Sequence, residues 1–316
     1  MNQASQHILL IRPANFGFNA ETAVSNAFQN NPDLSSDEIT KRVLSECDNF
    51  ATLLISKGVN AIVCDDTQSP VKPDAIFPNN WVSFHPDGTV ILYPMCTPNR
   101  RLERRMDIIE KFREKFKINN IADFSHYEKE NKFLEGTGSI VFDHENKVAY
   151  ACISPRTDKT IFSEVAAYLG YEPMSFQSVD EQGKEIYHTN VMMCVAKGFA
   201  VVCLDSIKNE MEREKLVFSL TSTGHEIIAI SYGQMKNFAG NMLSVKGNSA
   251  KPLLVCSQRA WQSLNQAQKA TIEKHCEALA MKIPTVETIG GGGARCMMAE
   301  VFSDVLAGKS ENFKGL

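Results

Sequence analysis

The stretch Gly290-Gly291-Gly292-Gly293-Ala294-Arg295-Cys296-Met297-Met298 sets four glycines ahead of a cysteine that follows an arginine. Glycine tolerates φ > 0 and close backbone approach, so the run suits the wall of a pocket better than the interior of a strand or helix. A cation beside a thiol favours the thiolate, the nucleophilic form. Cys296 is therefore the candidate nucleophile. Cysteine is also one of the residue types most often buried as a small hydrophobe, and the chain has nine, so the assignment depends on partners elsewhere.

Three other stretches put polar groups beside glycine, proline or aromatic residues at the ends of apolar segments: Pro73-Asp74-Ala75-Ile76-Phe77-Pro78-Asn79-Asn80-Trp81, Phe133-Leu134-Glu135-Gly136-Thr137-Gly138-Ser139, and Tyr187-His188-Thr189-Asn190-Val191-Met192. Strand ends and loops are where sites are built. A cysteine nucleophile needs a group that accepts and returns a proton near neutral pH, and histidine is the side chain suited to it. His188, between an aromatic residue and an apolar strand, is better placed than His85 or His144, which sit in turns. Glu135 lies beside Gly136 and Gly138, where a carboxylate can meet a ligand closely.

The elements that carry these residues follow a pattern. His7–Ile11 reads as a strand, Ser36–Lys57 as an amphipathic helix and Val59–Cys64 as a strand. Asp74–Phe84 and Thr89–Tyr93, joined by His85-Pro86-Asp87-Gly88, read as a hairpin, followed by a helix from Arg101 to Phe116 and a strand at Ile118–Phe124. The same order recurs with strands at Gly138–Phe142 and Val148–Ile153, a helix at Lys159–Leu169 and a strand at Glu172–Phe176. It recurs again with Asn190–Val195, Ala200–Leu204, a helix at Lys208–Leu220 and Glu226–Ile230. The last pass has Met242–Val245, Leu253–Cys256, a helix at Ser263–Ala280, a strand at Lys282–Glu287 and a closing helix at Met298–Leu306. Five passes of strand, strand, helix, strand make an α/β chain of similar modules, arranged radially or as a doubly wound sheet. No low-complexity linker divides it, so one domain, 1–316, is expected.

At 316 residues with a net charge of −4 and a pI near 6.0, the chain offers no basic field for nucleic acid. No apolar run reaches membrane-spanning length and the first residues lack a signal-peptide pattern, so a cytoplasmic protein with reduced thiols is expected. The odd, scattered cysteines show neither a disulfide framework nor paired metal spacing.

Taken together in the order Asp74 and Asn80, Glu135, His188, Cys296, these stretches resemble the guanidine-modifying (pentein) superfamily over nearly the whole chain. Within it, Arg12-Pro13-Ala14-Asn15-Phe16-Gly17-Phe18-Asn19, Phe77-Pro78-Asn79-Asn80-Trp81 and Gly292-Gly293-Ala294-Arg295-Cys296-Met297 resemble the citrulline-utilization hydrolase family, often labelled amidinotransferase. The resemblance implies a five-bladed α/β propeller and hydrolysis of citrulline to ornithine, ammonia and carbon dioxide. It implies Cys296 as nucleophile, His188 as general acid/base, Glu135 as the acid of an EGGD-like motif altered here so that Ser139 lies near the position of the last acid, Asp74 at the substrate's amino-acid end, and Arg100 and Arg156 on its α-carboxylate. It implies no metal or organic cofactor. The expected partner is a small-molecule substrate, citrulline or a related arginine derivative, with a homodimer allowed and no nucleic acid or membrane. The Asn15–Asn19 loop is a candidate cover for the site.

Two departures bear on the substrate. Guanidine hydrolases commonly carry an acid where Asn80 stands, and arginine deiminases have His-x-Asp where this chain has His188-Thr189-Asn190. A guanidinium offers only N–H donors and suits carboxylates, whereas a ureido group also carries a carbonyl acceptor. Asparagine serves both, and an amide N–H from Asn80 or Asn190 would stabilise charge developing on the ureido oxygen. The competing readings are an amidinotransferase, an arginine or dimethylarginine deiminase-type hydrolase, and a non-catalytic amino-acid-binding protein on the same fold.

Overall fold

The computed structural model describes residues 2–31 and 33–308. Its fifteen strands are β1 (His7–Arg12), β2 (Asn60–Asp65), β3 (Val82–Phe84), β4 (Thr89–Leu92), β5 (Asn120–Asp123), β6 (Val141–Asp143), β7 (Val148–Ile153), β8 (Glu172–Gln177), β9 (Met193–Ala196), β10 (Phe199–Val202), β11 (Glu226–Ala229), β12 (Leu243–Val245), β13 (Leu253–Ser257), β14 (Glu277–Met281) and β15 (Ala299–Val301). In β3-β4-β5, β6-β7-β8, β9-β10-β11 and β12-β13-β14 the first pair is antiparallel and the second parallel. The parallel step needs a crossover, and helical segments between the second and third strands supply it. A fifth unit of the same form joins the two ends of the chain: β15 runs antiparallel to β1, which runs parallel to β2.

This meets the α/β expectation and the five modules, but not as five separate sheets. A pairing of Val301 with Phe84 links β15 to β3, so two units form one six-stranded sheet, order β2-β1-β15-β3-β4-β5, beside three three-stranded sheets. The described strands close no barrel.

Helix Ser36–Ser56 illustrates how sequence becomes element. Ser35 and Glu38 form a capping box at its start. Ile39, Val43, Cys47, Phe50 and Leu54, spaced by three and four, turn one face into the core. At its end Gly58 takes φ +83, where a side chain would meet Asn248.

Several expected elements differ. Met298–Leu306 is not helical: Ala299 pairs with Leu9 and Val301 with His7, because the buried strand β1 would otherwise lack a partner on that side. The expected helix Ser263–Ala280 divides, since the Asn265 side chain caps a new helix, Gln266–His275, and Glu277–Met281 pairs with β13. The expected strand Lys282–Glu287 is replaced by a helical turn at Val286–Gly290. Arg101–Phe116 splits into Pro98–Arg101 and Met106–Arg113, as Arg100, Arg104 and Arg105 are drawn to Glu103, Glu128 and Asp107. Asp74–Asn80 is not strand but ends in a turn at Pro78–Asn80.

The same correction recurs at Gly138 and Asn190 and leads to the site. Helical turns at Pro78–Asn80, Gly136–Ser139, Thr189–Met192 and Ala294–Met297 precede β3, β6, β9 and β15. Ahead of β12 the chain turns at Phe238, φ +63, with Asn241 N–H bonded to the Phe238 carbonyl. Each unit thus presents polar residues at the entrance to its first strand.

Candidate active site

The four turns and the approach to β12 carry Asn80, Glu135, His188, Asn190, Asn241 and Cys296, all buried; Glu135 meets His188 and Asn80, while Asn190, next but one to His188, meets Cys296 and Asn241. The glycines make the approach feasible. A Cβ at Gly290 or Gly292 would lie 2.7 or 2.8 Å from the Phe77 ring, and one at Gly138 would lie 2.4 Å from Asn80 Nδ2 and 2.8 Å from His188 Nδ1.

His188 Nε2 lies 2.7 Å from Glu135 Oε2. Burial works against charge on Glu135, but Arg156, His188 and Arg100 overcome it and hold the carboxyl well below the usual carboxylate range. Glu135 therefore accepts, His188 carries its proton on Nε2, and Nδ1 is left as the basic nitrogen. Burial lowers the His188 pKa to about 4 although Glu135 pulls the other way, so the imidazole is neutral at pH 7. The second Glu135 oxygen accepts the Cys96 N–H at 3.0 Å. Ser139 accepts the Glu135 N–H and donates to the Arg156 carbonyl.

The sulfur of Cys296 receives amide N–H groups from Asn241 at 3.2 Å and Asn190 at 3.4 Å. Its pKa is raised by burial, against which Asn241, Arg295 and Asn190 act. Arg295 thus acts on the thiol in the expected direction, but through space: its guanidinium turns to the Met298 carbonyl and Glu300. Asn241 is the site residue that sequence reasoning missed.

Asn80 has a defined amide orientation. Arg100, which can only donate, bonds Asn80 Oδ1 at 2.9 Å, so Nδ2 carries the two N–H groups toward Glu135 O at 3.5 Å and toward Gly138. Arg100 is itself held by Glu103 through Nε and Nη2. Arg156 bonds Ser25 and the Thr22 carbonyl, approaches Glu135 at 3.5 Å and stacks on the Tyr187 ring. In this structure protein acceptors engage both guanidiniums: Glu103 and Asn80 for Arg100, Ser25 and the Thr22 carbonyl for Arg156. Asp74 Oδ2 accepts from Asn19 and Thr22, while its Oδ1 has no hydrogen-bond partner among the described residues.

The contacts of the segment that includes Asn15–Asn19 extend beyond it. Asn19 and Thr22 reach Asp74, Ser25 reaches Arg156, and Asn26 reaches the carbonyls of Gly290 and Gly291. A cavity of about 310 Å³ adjoins it, walled by Ser25, Phe28, Tyr187 and Phe238.

A buried thiol that receives amide N–H groups, near an imidazole held by a carboxylate, is equipment suited to acyl or amidino transfer to sulfur. The family model described as N,N dimethylarginine dimethylhydrolase, eukaryotic, matches residues 12–303. The chain belongs to this family. It is thus a hydrolase of the pentein type, acting on carbon–nitrogen bonds.

Solved structures agree in fold. The N-terminal domain of ArgZ, an arginine dihydrolase from the ornithine–ammonia cycle in cyanobacteria, as a substrate-bound cysteine-to-serine mutant, matches with TM-score 0.71 and 16% identity over 94% of this chain and 99% of that one. AgrE, as a cysteine-to-alanine mutant with L-arginine, matches with TM-score 0.73 and 17% identity over 97% of this chain and 41% of AgrE. A dimethylarginine dimethylaminohydrolase carrying an S-methyl-L-thiocitrulline adduct matches with TM-score 0.63 and 13% identity over 93% and 98%. No curated protein sequence matches the chain. Among the described residues no helix is long and apolar enough to cross a membrane.

Proposed function

We propose that the protein hydrolyses the ureido group of citrulline, giving ornithine, ammonia and carbon dioxide, with its five units closed as a propeller around the site. The observation that carries this reading is the Arg100-locked Asn80 amide, whose Nδ2 donors lie by the Glu135 carbonyl and, across Gly138, near His188. A ureido oxygen accepts from such donors; a guanidinium, having only donors of its own, meets them unfavourably.

In this mechanism the Cys296 thiol gives its proton to His188 Nδ1 as sulfur bonds the ureido carbon. The oxygen becomes an oxyanion held by Asn80 Nδ2, and Asn190 Oδ1, which has no partner among the described residues, accepts from a ureido nitrogen. Collapse breaks the bond to the side-chain nitrogen, His188 returns the proton and ornithine leaves an S-carbamoyl Cys296. A water that gives its proton to His188 then breaks the C–S bond, and the released carbamate divides into ammonia and carbon dioxide. Citrulline and one water account for every product atom. Asp74 Oδ1 receives the α-ammonium, with Arg100 and Arg156 placing positive charge beside it for the α-carboxylate.

A second reading, arginine taken through both hydrolyses, is supported by the fold shared with ArgZ and AgrE. The test is a side-by-side assay of purified protein with citrulline, arginine and dimethylarginine. Ornithine from citrulline but not arginine supports the first reading, ornithine from both supports the second, and citrulline accumulating from arginine or dimethylarginine overturns the substrate assignment.

A further inference from the structure

We infer that Asn241 is the residue that anchors the Cys296 sulfur as thiolate, leaving Asn190 to engage the substrate. This deepens the proposed function and rests on Cys296 being the nucleophile.

Both amides touch the sulfur, but they are held differently. Asn241 Nδ2 donates to the Asn190 carbonyl at 3.0 Å as well as to Sγ at 3.2 Å, and its Oδ1 accepts the Arg295 backbone N–H at 3.1 Å. A backbone carbonyl only accepts and a backbone N–H only donates, so the Asn241 amide cannot be reversed. Its N–H is delivered to sulfur by the main chain of two other units. Asn190 has Nδ2 at 3.4 Å from Sγ and no partner for Oδ1 among the described residues, so no other group fixes its orientation. Gly293 completes the device: a Cβ there would come within 2.7 Å of Asn241 Oδ1. That gives the fourth glycine of the run a task distinct from those packed on Phe77.

The charged and titratable groups around the sulfur do not replace this anchor. Arg295 lies on the same turn but points to Met298 and Glu300. The Tyr187 hydroxyl donates to the Gly291 carbonyl. His188 is bonded to Glu135, with Arg156 and Arg100 beyond it. A hydrogen bond gains strength when its acceptor becomes an anion, so a donor that cannot turn away favours thiolate over thiol. Losing one such bond is expected to lower the thiolate fraction at neutral pH by about 10- to 100-fold.

The experiment follows Cys296 directly. Iodoacetamide alkylation of the Cys296 peptide is measured by mass spectrometry across neutral and alkaline pH in wild type, Asn241→Ala and Asn241→Asp. Thiolate ultraviolet absorbance, taken as the difference from Cys296→Ala, reads the same titration without reagent access. Asn241→Asp keeps the shape and the acceptor for Arg295 N–H, and so tests the idea even where Asn241→Ala fails to fold. The expected result is a thiol titration moved up by about 1–2 pH units in Asn241→Ala and further in Asn241→Asp. Titrations superposing on wild type in the folded variants overturn the assignment, as does a larger shift in Asn190→Ala than in Asn241→Asp. Failure of the nucleophile reading is distinguishable: turnover surviving Cys296→Ala removes that reading whatever the titrations show.

Discussion

Asn80→Asp changes one N–H₂ into an oxygen and little else, so its effect on substrate choice can be worked from the site. Oδ1 keeps its 2.9 Å bond from Arg100, which is strengthened by the new charge, and the side chain keeps its volume. The other atom stops donating: an oxygen now faces Glu135 O, formerly 3.5 Å from Nδ2, and in the proposed complex would face the ureido oxygen of citrulline. Removing one oxyanion donor costs about 2.7–4 kcal/mol, or about 10²–10³-fold in kcat. A carboxylate adds repulsion against the developing charge, so citrulline turnover should fall by at least about 10³-fold. An arginine guanidinium, in contrast, gains an anionic acceptor for its N–H groups, so the arginine-to-citrulline ratio of kcat/KM should rise by more than the loss on citrulline alone. The assay is ornithine release from citrulline and citrulline release from arginine, with thermal unfolding confirming that the variant is folded. Citrulline turnover within tenfold of wild type would refute the reasoning, because Asn80 would then not be the donor to the reacting oxygen.

Other predictions follow from the same geometry. Gly138→Ala places a methyl 2.4 Å from Asn80 Nδ2 and 2.8 Å from His188 Nδ1; displacing both should lower kcat about 10²-fold, measured by steady-state kinetics beside an unfolding curve. Glu103→Gln weakens the hold on Arg100 and hence on the Asn80 amide; it should erode discrimination against arginine without touching substrate, read as a ratio of kcat/KM values. His85 and His188 both have pKa values lowered by burial to about 4 from an ordinary 6.5. Between those values the unfolded chain binds protons that the native state refuses, so stability rises with pH over that window. Each is worth at most about 3 kcal/mol, and the midpoint of urea unfolding should fall steeply from pH 6.5 to 4, less steeply in His85→Gln.

What could be read from the chain alone depended on whether chemistry showed in residue type. Cys296, His188 and Glu135 stood out because thiol, imidazole and carboxylate each lay beside glycine or an aromatic at a strand entrance. Asn241 did not, since Ala239-Gly240-Asn241-Met242 holds no titratable group. The available signal was the module count: four strand entrances carried candidate residues and the fifth, before β12, had been assigned none. The contacts of Arg100 inside the protein were not legible, since Glu103 folds back on it and Asn80 arrives from another turn. β15, the last strand among the described residues, reads as helix in sequence because Met298–Leu306 has helix-forming residues, and only pairing with the distant β1 decides otherwise.

The most direct test of the account is to quench the enzyme during turnover of citrulline carrying ¹³C at the ureido carbon and examine the Cys296 peptide by mass spectrometry. The account predicts a labelled carbamoyl group on Cys296, formed and lost at rates that accommodate turnover. Label passing to carbon dioxide with Cys296 never modified, and turnover retained in Cys296→Ser, would contradict it.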